Sequence, residues 1–295
     1  MPTTSWLTPR YVSRLERRRL SVRWVRAGRA LGGRFPTNRR GSSIEFADYS
    51  PYSAGDDVRA IDWKLYARLD RLFVRTYKEE ISLSVEVIVD ATASMGLPVA
   101  AKFERATRIG VSLAYIALID RHRARLSWFA SGCLAASPWF YRRRDLFRMA
   151  ELAAAVRPQG QMSLADWTRR AAITLRMRGG QAILVTDGMT RPPDFFSALH
   201  AMMVRSLEVK VIQVLSPQEL RPASLLRAGV LIDAETGMTH QLAYSPAELE
   251  RAVVNHNNQL AQFCRGHAIP FAQHQLNEPL EQFITKTLPA TGFLH

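Results

Sequence analysis

From Ser84 onward, apolar and polar positions alternate with two different periods. Short apolar runs such as SVEVIVD, QAILVTDG and EVKVIQVLS are separated by longer stretches in which apolar residues recur every three or four positions. The short runs predict buried strands, and the longer stretches, such as KFERATRIGVSLAYIALIDRHR, predict amphipathic helices. Strand alternating with helix indicates a mostly parallel sheet covered by helices on both faces, an α/β fold of the Rossmann-like type.

The pattern differs on either side of these core elements. Residues 41–83 predict a strand, a turn with a short helix, and a second strand, LFVRTYKEE, with one dry and one wet face. Residues 1–40 predict a short basic helix followed by a link rich in glycine, proline and asparagine. Downstream, GVLIDAETGMTHQLAYS predicts a hairpin and PLEQFITKTL a terminal helix. We therefore expect a basic N-terminal arm (1–40), a hairpin extension (41–83) and an α/β domain (84–295).

The composition mainly excludes classes of protein. With 47% hydrophobic and 22% charged residues, the 295-residue chain can bury a large core and is too apolar for a disordered protein. The longest apolar run, IGVSLAYIALI, falls short of the roughly 20 residues that span a bilayer, and the first residues lack the pattern of a secretory signal. These features predict a cytoplasmic protein, in which Cys133 and Cys264 are free thiols.

Positive charge is concentrated at the N-terminus. The formal net charge is +14, and residues 1–40 contain eleven arginines against one acidic residue, Glu16. Such an arm could bind nucleic acid or an anionic membrane surface, which would make the protein peripheral to the inner membrane. No nucleic-acid-binding motif accompanies the arm, so nucleic acid is the weaker alternative. A solvated helix that contacts an acidic partner protein or lipid headgroups explains the charge equally well.

Oxygen-bearing side chains follow two of the predicted strands. Asp90 ends SVEVIVD, and Thr92 and Ser94 follow at spacings of two, which turns all three side chains to one side of an extended loop. Asp187 follows the strand of AILVTDG in the same way. Because ligands gather at the carboxyl ends of parallel strands, we expect these residues in one cleft. Carboxylate and hydroxyl oxygens suit Mg²⁺, whereas the weaker alternative is that Asp90 only caps the following turn.

This set resembles the metal-ion-dependent adhesion site of von Willebrand factor A domains, whose signature is D-x-S-x-S, a separate threonine and a later aspartate. Asp90, Thr92, Ser94 and Asp187 match four of the five positions. Met162, in GQMSLADW, stands where the family has its separate threonine, and a thioether is a poor ligand for Mg²⁺. The resemblance therefore implies a von Willebrand A-like fold with a degenerate site that binds Mg²⁺ weakly, with Ser163 as a substitute ligand after a register shift.

The block upstream of the first core strand narrows the resemblance. GSSIEFADYSPYSAGDDVRAIDWKLYARLDRLFVRTYKEE, together with LSPQEL and DAETG, resembles the bacterial domain-of-unknown-function family fifty-eight. The pattern G-D-D-x-R-x-I-D-W is specific, whereas Ser50 stands where that family usually has arginine. The resemblance implies a non-catalytic interaction module that accompanies MoxR-type AAA+ ATPases and assists the assembly or activation of client proteins.

The charged residues of this upstream block allow two interpretations. They form either a recognition surface for a partner or a structural ion-pair network with Trp63 packed beneath it, and we favour the network. The charged residues concerned are Asp56, Asp57, Arg59, Asp62 and Arg68.

An enzyme is the alternative to an interaction module. Metal-dependent phosphoryl hydrolases also place aspartates at strand ends. A haloacid-dehalogenase-like enzyme would need a second aspartate two residues after Asp90 as its general acid, and Thr92 cannot perform that function. The sequence therefore favours a protein without catalytic activity.

Overall fold

The computed structural model divides the chain into two compact units, which are described separately. One unit comprises Met1–Trp24 and Leu83–His295, and the other comprises Val25–Ser82. The described residues are 4–22, 45–53, 58–78, 83–130, 133–160, 164, 166, 168–169, 180–205, 207–222, 230–232, 239–241 and 245–295.

Strands and helices follow the order that the hydrophobic pattern predicts. The strands within the described residues are β1 (Glu45–Pro51), β2 (Phe73–Lys78), β3 (Ser84–Asp90), β4 (Arg123–Ala130), β5 (Cys133–Ala136), β6 (Gly180–Thr186), β7 (Leu207–Leu215), β8 (Val230–Ile232), β9 (Thr239–Gln241) and β10 (Phe271–Gln275). The α-helices of four or more residues there are α1 (Pro9–Leu15), α2 (Trp63–Leu69), α3 (Ala101–Ile119), α4 (Leu146–Ala155), α5 (Pro192–Val204), α6 (Pro217–Leu220) and α7 (Pro246–Gly266). β8 and β9 form the hairpin expected from the sequence. Most of the helix predicted for SLADWTRRAAITLRMR lies outside the described residues.

Two elements differ from the sequence-based expectation. β5 is a short antiparallel strand beside β4, and its four residues, CLAA, are too few to show a period. The predicted terminal helix is a succession of three short pieces, Leu280–Gln282, the π-helical Phe283–Thr287 and Leu288–Ala290. Pro289 has no N–H to donate, so it cannot continue a regular helical hydrogen-bond ladder.

A sheet with the strand order β10-β7-β6-β3-β4-β5 forms the centre of the larger unit. Its neighbouring strands are parallel except for β4 and β5. Val87 of β3 belongs to a hydrophobic cluster that includes residues of α3 and α4, whereas Ile88 belongs to a second cluster with residues of α5 and α7. Helices therefore cover both faces of a mostly parallel sheet, and the predicted α/β fold class is confirmed.

The longest apolar run of the sequence lies in α3, which packs on β3. Gly110 faces this strand closely, since a Cβ atom there would come within 2.9 Å of Val89. The close packing fixes α3 against the strand that ends at Asp90. Among the described residues, no helix combines the length and the apolarity that crossing a membrane requires.

Residues 4–22 pack on the rest of the larger unit, to which they belong. Leu15 of α1 and Leu20 are buried in the same cluster as β3 and α3. Leu20 also forms an antiparallel bridge with Leu294. The short basic helix therefore lies where the sequence predicts it, and its apolar side is covered. Residues 23–40, the rest of the predicted arm, lie outside the described residues, so its boundary at residue 40 stays a prediction.

In the smaller unit, β1 and β2 form an antiparallel pair, as the sequence predicts. Asp62 is buried and caps α2, because its Oδ1 accepts from the backbone N–H groups of Lys64 and Leu65. The hydroxyl of Tyr49 donates to the other carboxylate oxygen at 3.0 Å. Trp63 is 62% exposed, so the expectation that it packs beneath the charged residues is wrong. It occupies the first position of a helix in which no residue is buried.

Candidate functional site

The strand order reverses between β3 and β6, and the carboxyl ends of these strands flank the position at which sheets of this kind have their crevice. From β3 the sheet continues through β4 on one side, whereas β6, β7 and β10 extend it on the other side. Sheets of this kind bind ligands at such a reversal of strand order, because the loops after the two strands diverge there. Asp90 ends β3 and Asp187 directly follows β6, so the two aspartates flank this crevice.

The three side chains at the end of β3 are joined by hydrogen bonds. Thr92 donates to Asp90 Oδ1 from its backbone N–H at 3.0 Å and from its hydroxyl at 2.7 Å. Because that hydroxyl hydrogen is already used, Ser94 Oγ donates to Thr92 Oγ1 over 3.0 Å. Asp90, Thr92 and Ser94 therefore lie together, and their polar atoms have partners within the protein.

The end of β6 closes the network from the other side. Thr186 Oγ1 donates to Asp90 Oδ2 at 2.6 Å and accepts from the Gly188 N–H at 3.0 Å. Asp187 Oδ1 accepts from the backbone N–H of Met189 at 3.0 Å. Gly188 has φ +70°, a left-handed conformation that glycine adopts without strain, and the turn directs backbone N–H groups towards these side chains. β3 and β6 are thus bridged at their carboxyl ends by the contact between Asp90 and Thr186.

Asp90 is held in an environment that disfavours its charge. The residue is 3% exposed, and burial, followed by the negative charge of Asp187, raises the pKa of Asp90 to about 7. The hydrogen bonds from Thr186 and Thr92 favour the charged carboxylate and offset part of this rise in pKa. The crevice therefore contains a carboxyl group that is partly protonated near neutral pH, beside a second carboxylate.

A buried lysine supplies positive charge to the crevice. Lys102 lies in the first turn of α3 and is 0% exposed, and its Nζ donates to Asp187 Oδ2 at 3.0 Å and to Glu219 Oε1 at 2.5 Å. Burial lowers the pKa of Lys102, but the carboxylates of Asp187 and Glu219 raise it by more, so its pKa lies above the ordinary value. Lys102 therefore carries its charge and links the segments that follow β6 and β7.

Glu219 lies in α6, the short helix that follows β7, within the SPQEL motif. Its Oε2 accepts from the backbone N–H and the hydroxyl of Ser216, at 2.7 and 2.8 Å. Ser216 Oγ accepts in turn from the Glu219 N–H at 3.2 Å, which completes a capping box. The capping box fixes one carboxylate oxygen of Glu219, so that the other oxygen meets Lys102.

Lys102 and Glu219 were not predicted as residues of this site, although the sequence contains a signal for Lys102. Lys102 lies on the same face of α3 as Ala106, Ile109 and Leu113, and this face is buried. It also stands in the first turn of a helix, where the helix dipole disfavours a positive charge. A lysine that is both buried and placed at a helix N-terminus requires carboxylate partners from elsewhere in the fold.

This arrangement does not fit a divalent metal ion as it stands. Asp90 Oδ1 already accepts two hydrogen bonds, and Asp187 Oδ2 accepts from the ammonium group of Lys102. A metal ion at these oxygens would meet the like charge of that ammonium group. Among the described residues, no group of three or more His, Cys, Asp or Glu side chains is arranged to hold a metal ion. Met162 and Ser163 lie outside the described residues, so a metal-binding role for the predicted set stays a prediction.

The charged residues of the upstream block belong to the smaller unit. Asp62 caps α2, and Arg59 and Arg68 are exposed. Asp56 and Asp57 lie outside the described residues. The choice between a recognition surface and a structural network for this set therefore stays a prediction, and the capping contacts of Asp62 support a structural role for that residue.

The fold and the site define an α/β protein whose crevice, at the reversal of strand order, is filled by paired charged side chains. The family model described as "Protein of unknown function DUF58" matches residues 48–259, and the chain belongs to this family. The family inferred from the sequence is therefore confirmed. An uncharacterized protein of Mycobacterium tuberculosis (strain H37Rv), Rv1480, is 28% identical over 232 residues, which cover 74% of this chain and 70% of the relative. The uncharacterized Mycobacterium bovis protein Mb1516 matches with the same values.

Several solved structures resemble the chain at low sequence identity. The conserved hypothetical protein BatB from Bacteroides thetaiotaomicron has a TM-score of 0.42 and 14% identity, covering 71% of this chain and 98% of that chain. The manganese-loaded Plasmodium vivax TRAP protein has a TM-score of 0.38 and 13% identity, covering 73% and 75%. A von Willebrand factor type A protein from Catenulispora acidiphila has a TM-score of 0.36 and 18% identity, covering 63% and 43%. Because these TM-scores lie below 0.5, the similarities carry no argument about the fold. The fold class rests on the strand order and the helices on both faces of the sheet.

Proposed function

We propose that the protein is a non-catalytic protein-interaction module whose contact surface is the carboxyl edge of the sheet. One observation carries this proposal: the loops after β3 and β6 each present an exposed apolar side chain beside the buried charged network. Leu97 is 49% exposed and Met189 is 39% exposed. Apolar anchors at the surface, next to polar groups that are held in place, are characteristic of protein-binding sites.

The partner in this proposal is a MoxR-type AAA+ ATPase, together with client proteins that the two assemble or activate. The support for this partner is the resemblance of the upstream block and the strand-end motif to a family associated with such ATPases. The protein itself acts without catalysis in this proposal. The hydroxyl of Thr92, at the position where a hydrolase would need a general acid, is committed to Asp90.

The degenerate adhesion site enters the proposal as a surface with low affinity for metal. Its carboxylates are already engaged by protein donors, so Mg²⁺ is expected to bind with a dissociation constant weaker than about 1 mM. Partner binding should therefore persist in the presence of EDTA.

A binding measurement with two variants tests this function. Leu97→Ser combined with Met189→Ser should weaken binding of a purified MoxR-type ATPase roughly tenfold or more, because both apolar anchors are removed. Val204→Ser is the matched control, since Val204 is 72% exposed but ends α5, just before the amino end of β7. Biolayer interferometry in EDTA measures the affinities. Equal affinity of the double variant and the wild type, or an equal loss in the control, would contradict the proposal.

A second candidate function, contact with an anionic membrane surface, has support from the N-terminal helix. Arg10 and Arg17 are exposed, whereas the apolar side of α1 is buried against the rest of the larger unit. Peripheral attachment through residues 1–40 would follow from this orientation. This attachment is measured by sedimentation of the protein with anionic phosphatidylglycerol vesicles, compared with sedimentation with phosphatidylcholine vesicles. Arg10→Glu combined with Arg17→Glu should release the protein, and sedimentation with both lipids alike would exclude an electrostatic contact.

A further inference from the structure

Two of the five lysines of the chain, Lys102 and Lys210, are 0% exposed. Lysine is almost never fully buried unless it is paired. The two ammonium groups have different kinds of partner. Lys210 donates to the carbonyl oxygens of Ser21 and Phe293, at 2.5 and 3.1 Å, and so joins the two ends of the larger unit. Lys102 instead meets carboxylates, in the crevice at the carboxyl edge.

The contacts of Lys102 join the segments that follow β6 and β7. Asp187 follows β6 and Glu219 follows β7, and both accept directly from Nζ. Asp90, at the end of β3, is close enough to Asp187 for the charge of one to raise the pKa of the other, and it is bridged to β6 through Thr186. The carboxylates of Asp187 and Glu219 therefore share the positive charge of Lys102, and Asp90 is connected to this pair through Thr186.

The ammonium group of Lys102 thus acts where a cation is needed to hold the carboxylates together. Without a positive charge, the buried carboxylate of Asp187 and the half-buried carboxylate of Glu219 would be uncompensated and would repel one another. A lysine from α3 and a divalent ion are alternative ways to supply the charge, because both bind hard carboxylate oxygens. Only one of them can contact the same oxygen of Asp187 without strong like-charge repulsion.

We infer that Lys102 is a built-in cation that takes the place of a divalent metal ion, so that the carboxyl edge is held together without metal. Removing the amine should let a divalent ion take its place between the carboxylates of Asp187 and Glu219. This inference goes beyond the proposed function, since it concerns the charge within the protein and is tested without a partner.

The substitution Lys102→Met tests the inference because methionine keeps an unbranched side chain and removes the charge. Calorimetric titration with MnCl₂ and MgCl₂ should give a dissociation constant weaker than about 1 mM for the wild type and at least about tenfold tighter for the variant. The same ions should raise the Tm of the variant and leave that of the wild type unchanged. Lys102→Arg, which keeps a positive charge, should behave like the wild type.

Lys210→Met is the matched control, because it also removes a fully buried ammonium group, but one whose partners are carbonyl oxygens. It should gain no affinity for either ion. A folded Lys102→Met variant without a gain in affinity, or an equal gain in Lys210→Met, would overturn the inference.

If Lys102→Met does not fold, an NMR measurement on the wild type tests the inference instead. The chain has only five lysines, so the ¹⁵N signals of the ammonium groups can be resolved, and the signal lost in Lys102→Arg identifies Lys102. This signal should be unchanged in about 10 mM MgCl₂, far above the concentrations that saturate typical Mg²⁺ sites. A saturable displacement of the signal by Mg²⁺ would show that the metal, not the lysine, holds the carboxylates.

Discussion

Replacing Asp90 with asparagine should remove a pH dependence of stability that the wild type shows. Asparagine keeps the shape of the side chain and an oxygen that can accept from Thr92, and its amide can donate to Thr186 Oγ1. The substitution removes the carboxyl group that burial and Asp187 keep protonated to unusually high pH. The free energies of unfolding of the variant and the wild type should therefore differ less at acid pH than at neutral pH.

The sign and the magnitude follow from the pKa of Asp90, which rises from 3.8 to about 7 on folding. Between these values the native state binds the proton and the unfolded state does not, so the stability contributed by this group is present at low pH and is lost as the pH rises through 7. One pKa unit corresponds to about 1.4 kcal/mol, which gives a loss of about 3 kcal/mol between about pH 4.5 and about pH 8. The free energy of unfolding of Asp90→Asn, measured relative to the wild type, should rise by this amount over that range.

Urea denaturation at a series of pH values measures the difference between the two proteins. Glu248→Gln provides a control of opposite sign, because the Ser245 backbone N–H and hydroxyl lower the pKa of Glu248. The stability from Glu248 is present above its unfolded pKa and is lost as the pH falls, so this variant should become relatively less stable as the pH rises. A difference between Asp90→Asn and the wild type that stays constant from acid to neutral pH would refute the account of Asp90.

Three stability predictions concern other contacts of the larger unit. Arg125→Met should cost about 3 to 5 kcal/mol, because Glu86 Oε2, which accepts from Arg125 at 2.6 and 2.8 Å, is left buried and unpaired. Adding Glu86→Leu should recover most of this loss in urea denaturation, and no recovery would contradict the ion-pair account. Leu15→Ala should cost about 2 to 5 kcal/mol, because Leu15 is 0% exposed, and a loss below about 1 kcal/mol would show that α1 does not pack there. Tyr11→Phe should cost about 1 kcal/mol, since the hydroxyl lies 2.8 Å from Ser112 Oγ, and an unchanged Tm would contradict this contact.

The sequence predicts those parts of the fold whose signal is local. The alternation in SVEVIVD predicts β3 and the position of Asp90 at its end, because a buried strand and the residue that ends it lie next to each other in the chain. β5 was missed because a run of four residues is too short to show a period, and its position depends on pairing with β4. The exposure of Trp63 was missed because an aromatic residue beside charged residues usually indicates burial, whereas here it begins a helix without buried residues.

The candidate site shows the same division between local and distant contacts. The oxygen atoms of Asp90, Thr92 and Ser94 are recognisable because they are two residues apart. Lys102 and Glu219 are separated by more than a hundred residues, and their contact exists only because α3 and α6, the helix after β7, meet at one edge of the sheet. The hydrophobic periodicity of the sequence therefore locates the crevice but does not show which charged side chains meet there.

The pairing of Leu20 with Leu294 also affects the order of events during synthesis. A ribosome makes the chain from its amino end at about 5 to 20 residues per second, so roughly 15 to 60 seconds separate the emergence of the two paired segments. Throughout that interval, residues 19–21 lack the strand partner that the finished protein gives them. A segment that is made early is thus among the last to gain its partner, and its apolar residues must be kept from binding elsewhere until residue 294 has been synthesised.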